Sequence, residues 1–273
     1  MKLLEPEKYH LLKKRLSKVE INHHFALAVL EQTMDGSVYA DDLNTPATFY
    51  IKHNYGLALL VGNTENEEFN NQLVSYMLNA AIKREKPEYL QVYPALWNQK
   101  LNELLPDKIV ETSANADQSK VLKLGRINFR FNQQKYNSVP EANYPEGELV
   151  QTDAALFYKI KGAVVPLHFW RNGDEFSQLS IGFSALVNGE PVSTAYAAFL
   201  QKPYLELGIE TKAEYQGKGY AQWVCSALID FCLENSLVPV WSCRADNSGS
   251  IKLAEKLGFE QTRTIPIYQL PSN

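Results

Sequence analysis

Leu205-Glu-Leu-Gly-Ile-Glu-Thr-Lys-Ala-Glu-Tyr-Gln-Gly-Lys-Gly-Tyr-Ala221 is the stretch on which the reading of this chain turns. Leu205, Leu207 and Ile209 alternate with Glu206, Gly208 and Glu210, the period of a strand with one apolar face. A short loop follows, then the turn Gln216, Gly217, Lys218, Gly219, Tyr220 and Ala221, then an apolar-periodic helix over about 217–235. The first N–H groups of a helix have no partners within it, and the positive end of the helix dipole lies beside them, so such a start attracts anions. Gly217 and Gly219 let the main chain bend towards a ligand, and Lys218 adds a cation. A phosphate or pyrophosphate is the expected guest.

Two familiar phosphate motifs fail on residues. A Walker-type loop requires Ser or Thr directly after its lysine, whereas Gly219 follows Lys218; a dinucleotide fingerprint requires a third glycine where Gln222 stands. What does fit is Gln/Arg-x-x-Gly-x-Gly/Ala, filled by Gln216, Gly219 and Ala221. Downstream, Val238-Pro-Val-Trp-Ser-Cys243 reads as a buried strand and Arg244–Asn247 as a loop ending in an N-cap residue. Ser248–Leu257 reads as a helix, Gly258 as its stop, and Phe259 opens another strand.

The turn, together with Asn247-x-x-Ser250 and Leu-Ala-Glu-Lys-Leu-Gly-Phe259, resembles the GNAT superfamily of acyl-CoA N-acyltransferases. The wider set Phe169-Trp170, Phe176, Gly182-Phe183, Ile209-Glu210-Thr211, Pro239-x-Trp241-x-Cys243, Asn247 and Ser250 is similar to the bacterial group related to the zwittermicin A resistance protein. That likeness spans most of the chain. It implies acetyl-CoA as co-substrate, with Ile209, Thr211, Gln216, Gly217, Lys218, Gly219, Tyr220, Ala221, Asn247 and Ser250 as cofactor contacts. It also implies direct attack of an unprotonated amine on the thioester between two splayed parallel strands, here 204–211 and 238–243. Backbone N–H groups near Ile209 or Thr211 would face the developing oxyanion. One position departs from the family: Ala254 stands where a tyrosine often protonates the leaving thiolate. Ser250, Cys243 or a water would have to serve; Tyr220 and Tyr268 are substitutes without positional warrant.

An aliphatic amine is protonated below pH ~10, so a base or proton wire is needed. Glu206 and Glu210 are the candidates, because they share a face of the central strand, where a buried carboxylate is costly unless partnered or functional. Cys225 and Cys232 fall on the apolar face of the helix with Val224, Leu228 and Phe231. His168, Trp170 and Tyr204 are candidates for an acceptor wall.

Composition narrows the classes. A chain of 273 residues with 45% hydrophobic content can fill two cores. No apolar run approaches the roughly 20 residues of a membrane span, and the start lacks the apolar segment of a signal peptide. Three cysteines do not make a disulfide framework, no Cys/His group has zinc spacing, and a net charge of −4 argues against nucleic acid. The expected setting is cytoplasmic, with no metal, no membrane or nucleic-acid partner, a small-molecule amine as substrate, and a homodimer kept open.

The first half repeats the plan of the second. Amphipathic segments at Pro6–Val19 and Asn22–Gln32 precede strands at Ser37–Ala40, Ala47–His53 and Gly56–Val61. A helix over Phe69–Lys83, a strand at Tyr89–Tyr93, a helix over Ala95–Leu104 and a strand at Val121–Phe131 follow. In the second half a hairpin, Gly182–Val187 against Val192–Leu200, turns at Asn188-Gly189. The expected fold is therefore α/β, with an α+β-type mixed sheet, in two tandem GNAT-like domains. Residues 1–135 form a degenerate copy, 136–148 a linker, and 149–273 the complete, CoA-binding copy. The first copy puts Gly62-Asn-Thr-Glu-Asn-Glu-Glu68 where the second has its glycine turn, and three carboxylates would repel a pyrophosphate. Two other functions stay open: a CoA-binding regulator without turnover, and transfer to a protein or peptide amine.

Overall fold

The computed structural model of the chain describes residues 1–80, 84–111, 117, 119–138 and 144–272. It divides into two compact units, each discontinuous in sequence: Met1–Arg126 with Arg244–Asp246 and Thr264–Asn273, and Ile127–Cys243 with Asn247–Arg263.

The first unit begins with β1 (Lys2–Leu3), a 3-10 turn at Pro6–Lys8, α1 (His10–Leu16) and α2 (His24–Leu30). Three strands follow, β2 (Gly36–Ala40), β3 (Thr48–His53) and β4 (Leu57–Gly62), in an antiparallel meander. Then come α3 (Glu67–Met77), β5 (Glu88–Tyr93), α4 (Leu96–Leu104) and β6 (Ile109–Glu111). β4 and β5 are parallel and joined by the α3 crossover. The core gathers Tyr50, Leu60, Phe69, Leu73, Leu90, Trp97 and Leu101. The expected helix over Phe69–Lys83 starts two residues earlier and ends at Met77; its last three residues lie outside the described residues.

One carboxylate in this core is almost wholly buried. Glu88 accepts from the Tyr50 and Tyr76 hydroxyls, the second at 2.8 Å, and lies 3.1 Å from Lys52 Nζ and 3.6 Å from Arg84 Nε. Arg84 in turn donates to the carbonyls of Tyr76 and Pro271. Burial, reinforced by the Glu88 charge, holds both phenols above their ordinary range, so they donate to the carboxylate. A buried charge is tolerable only when its partners are this complete.

The second unit continues from β7 (Val121–Phe131), which contributes to both units, through α5 (Gln133–Asn137), β8 (Glu148–Gln151) and α6 (Ala154–Lys159). A 3-10 turn at Pro166–His168, α7 (Gly173–Leu179), β9 (Gly182–Val187), β10 (Glu190–Gln201) and β11 (Tyr204–Thr211) lead to α8 (Tyr220–Glu234). β12 (Val238–Val240), β13 (Ser242–Arg244), α9 (Ser248–Lys256) and β14 (Phe259–Leu270) complete the chain. The sheet order is β12-β11-β10-β9-β8, antiparallel except for the parallel β11–β12 pair. Asn188 and Gly189 both take positive φ, as a type I′ hairpin demands. Val224, Cys225, Leu228, Ile229 and Cys232 of α8 pack with Leu205 and Leu207. Burial pushes the Cys225 and Cys232 thiols up, the latter to about 12, so both are core and unreactive.

Three features depart from the sequence expectations. The strand expected over 238–243 is two strands, interrupted at Trp241. The segment expected as linker carries α5 and β8 at its ends; residues 139–143 lie outside the described residues. The expected boundaries are contiguous, whereas β14 is shared: Tyr268, Gln269 and Leu270 pair antiparallel with Leu90, Tyr89 and Glu88 of the first unit. Burial along β14 explains why. Glu260–Thr264 is mostly exposed, and the strand becomes buried again from Ile267 to Leu270, so it has two separate apolar anchors.

His53, at the end of β3, is buried, and its Nδ1 accepts from the Tyr55 N–H at 3.1 Å. Burial lowers its pKa from 6.5 to about 4. The unfolded imidazole binds a proton near pH 6.5 while the folded one does so only near pH 4, so stability is full above 6.5 and is lost as pH falls. Urea titrations should show the wild type losing about 2 kcal/mol more than His53→Asn between pH 7.5 and pH 5. Equal losses in the two proteins would remove His53 as the cause.

Candidate active site

β11 and β12 run side by side for only three residue pairs, Tyr204–Val238, Leu205–Pro239 and Glu206–Val240. Beyond Glu206, β11 continues against β10 alone, while the Trp241 carbonyl accepts from the Phe129 N–H of β7 at 3.1 Å. The two parallel strands therefore part, and the edge of Leu207–Thr211 that β12 leaves has its backbone groups turned into a wedge. The corresponding pair of the first unit does not part: β4 and β5 match without interruption from Leu57–Tyr89 to Val61–Tyr93.

Beside the wedge lies the glycine turn. Gly219 is the N-cap of α8 with φ +94, and no side chain caps this helix among the described residues. α3 differs, because Asn66 Oδ1 accepts from the Phe69 N–H at 3.0 Å. A left-handed N-cap without a capping side chain leaves the first N–H groups of α8 without a side-chain acceptor among the described residues. Gln216, Gly217, Lys218 and Gly219 are exposed, and a Cβ on Gly217 would meet nothing within 4 Å. The Gln216 amide donates to the Thr211 carbonyl at 3.2 Å and closes the loop, and Lys218 Nζ lies 5.4 Å from the centre of the Tyr215 ring. Tyr220 is buried, its hydroxyl donating to the Glu146 carbonyl at 2.8 Å; its side chain holds the segment before β8 rather than pointing outward. Ile209 packs on the core, and the Thr211 and Ser193 hydroxyls are 2.7 Å apart.

The two candidate carboxylates have different surroundings. Glu206 is 5% exposed and accepts from the Ser242 hydroxyl at 2.6 Å, across the point where the strands separate. Glu210 Oε2 accepts from the N–H groups of Ala163 and Val164 at 2.8 and 2.7 Å. Between them Gly208 faces Tyr196 of β10, whose ring occupies the space a Cβ would take, at 2.5 Å. Phe169 stands edge-on to Tyr196 and Phe199. Trp170 Nε1 donates to the Ala197 carbonyl at 2.9 Å, so its indole is tied to β10. His168 Nδ1 lies 3.0 Å from the Ala163 carbonyl, and Tyr204 is exposed at the opposite end of β11.

At the second landmark, Asn247 Oδ1 accepts from the Ser250 N–H at 3.0 Å and caps α9, while Ser250 Oγ accepts from Trp241 Nε1 at 3.1 Å. Ala254 is fully buried, and Cys243 is buried in the same core. Neither tyrosine named as a substitute acid points into the wedge by its hydrogen bond: Tyr220 bonds Glu146, and the Tyr268 hydroxyl donates to Asn98 of the first unit.

A family model described as GNAT acetyltransferase matches residues 14–268. The chain belongs to that family. It is an acyltransferase of the GNAT N-acetyltransferase type, a family that uses acetyl-CoA. A relative from Bacillus subtilis (strain 168), an uncharacterized N-acetyltransferase called YdfB, is 28% identical over 247 residues, 89% of each chain. Among solved structures, a GCN5-related N-acetyltransferase-like protein from Streptococcus suis superposes with a TM-score of 0.70 at 20% identity. That match covers 96% of this chain and 99% of that one. A tandem GNAT protein from the clavulanic acid biosynthesis pathway gives 0.61 at 10% identity, covering 100% and 99%. These likenesses carry the fold, and the tandem plan read from the sequence accords with the second. Among the described residues no helix is long and apolar enough to cross a membrane, and no group of three or more His, Cys, Asp or Glu could hold a metal.

Sequence reasoning missed Ser242, Tyr196 and the segment that abuts the turn, where Pro145 lies 3.6 Å from the position of a Gly219 Cβ. Only strand alternation hinted at Ser242. Asn247→Ala should lower stability by about 1 kcal/mol through loss of the α9 cap, measured by urea unfolding. An unchanged midpoint would show that Asn247 is dispensable to the helix.

Proposed function

We propose that the second unit is an N-acetyltransferase acting on the amine of a small molecule, with the wedge between β11 and β12 as the thioester channel. The observation that carries this reading is the coincidence of three features in one unit: strands that part after Glu206, an uncapped glycine turn, and a buried carboxylate at the fork. Acetyl-CoA supplies an activated acetyl thioester when bound. The residues present fit it. The first N–H groups of α8, around Gly219, Tyr220 and Ala221, take the pyrophosphate, with Gln216, Gly217 and Lys218 lining the turn. The freed main chain of Ile209 to Thr211 receives the pantetheine amides, and Asn247 and Ser250 border the thiol end while capping α9.

Glu206 holds the amine proton released on attack. Its Ser242 bond holds the carboxylate at the fork, where it meets the acceptor directly or through water. The first unit is the degenerate copy, because β4 and β5 stay paired and Asn66 already caps the helix that would meet a phosphate. The subgroup related to the zwittermicin A resistance protein, the small-amine acceptor and a cytoplasmic setting belong to this proposal on the strength of the sequence set named above.

Calorimetry with acetyl-CoA should give binding that weakens roughly 3- to 10-fold in Lys218→Ala and weakens with salt. Absence of binding would remove the proposal. Glu206→Gln should lower kcat on an amine panel by about 100-fold while acetyl-CoA affinity holds within about twofold. Thiol release with any amine excludes a regulator without turnover.

A further inference from the structure

We infer that Glu210 is a positioning residue: its carboxylate is the clasp that holds segment 161–170 as a roof over the acceptor side of the site. This inference rests on the acceptor reading of the β11 face, and it separates the roles of the two strand carboxylates.

Glu206 and Glu210 are four residues apart on one strand and so lie on the same face of β11, about 13 Å from end to end. The segment 161–170 crosses that face from one carboxylate towards the other. At the Glu210 end, both N–H groups of Ala163 and Val164 donate to a single oxygen, Oε2. At the Glu206 end, Phe169 packs edge-on against Phe199 at 5.6 Å between ring centres, and Phe199 is the residue paired with Glu206 in the sheet. Trp170 then ties the segment to β10 through the Ala197 carbonyl. Between the two ends, Tyr196 fills the space above Gly208 and meets Phe169 at 5.7 Å. The segment is thus fixed at each end, by Glu210 and by β10.

Gly162 completes the clasp. Its φ is +150, and a Cβ built there would lie 2.4 Å from the Glu210 carboxyl carbon. A side chain at 162 and the carboxylate at 210 compete for one volume. Oε2 of Glu210 faces two main-chain donors, as a clasp requires. A carbonyl oxygen in the same place does the same work, because the clasp requires an acceptor and not a titrating group.

Four proteins test this: wild type, Glu210→Ala, Glu210→Gln and Gly162→Ala. Hydrogen exchange followed by mass spectrometry reads the segment 160–170 without reference to turnover. Steady-state kinetics then uses acetyl-CoA with spermidine, tyramine and glucosamine, and the amine turned over by the wild type. The expected result is exchange in the segment faster by about tenfold or more in Glu210→Ala and Gly162→Ala, and within about threefold of wild type in Glu210→Gln. Amine KM should rise by roughly tenfold in the first two, with acetyl-CoA KM within about twofold and an unshifted pH profile of kcat. A Glu210→Gln variant as inactive as Glu210→Ala, with its exchange unchanged, would overturn the inference and return Glu210 to the role of base. Unchanged exchange in Glu210→Ala would overturn the clasp itself. Failure of the wild type to bind acetyl-CoA or to acetylate any of the three amines strikes the acetyltransferase reading instead, and leaves the exchange result to judge the clasp.

Discussion

The parting of two parallel strands after Glu206 is the constraint around which the second unit is arranged. A parallel pair leaves few backbone groups unsatisfied while it lasts, so ending it early exposes donors and acceptors that something must engage. On one side, β13 is drawn away by the Phe129 N–H on the Trp241 carbonyl. On the other, β11 is held straight by an unbroken ladder to β10 from Tyr196–Gly208 to Ser193–Thr211. The wedge is therefore bordered by main chain on both sides.

Polar groups then collect where the backbone opens. Glu206 and Ser242 join the two strands at the fork, Glu210 engages two N–H groups farther along, and among the described residues no side chain caps the start of α8 at Gly219. The first unit shows the alternative outcome of the same element order. Its equivalent strands remain paired, its helix is capped by Asn66, and its buried carboxylate, Glu88, is enclosed by two phenols and two cations. One unit joins its buried carboxylate to phenols and cations; the other joins its strand carboxylates to a hydroxyl and to main-chain N–H groups.

Much of the second unit could be read from residues because the signals were local. The strand at 204–211, the Asn188-Gly189 hairpin and the Asn247 cap each depend on a few neighbouring residues whose preferences agree. The family was legible for the same reason, since the turn and the helix cap stand at a separation that suits one helix and one strand. The roles of Glu206 and Glu210 were not separable in this way. Both are glutamates on one face of one strand, and what distinguishes them is Ser242, 36 residues after the first, and a loop some 47 residues before the second.

The sequence alone determined much of the order of elements, the glycine turn at Gln216–Ala221, the apolar face of α8 and the absence of the usual tyrosine at Ala254. Each is set by alternation, by helical period or by the identity of one residue. Only the tertiary structure decided where β12 leaves β11, that β14 divides its residues between two compact units, and that Glu210 clasps a distant loop. Those outcomes follow from hydrogen bonds and burial between segments far apart in the chain, which no local pattern encodes.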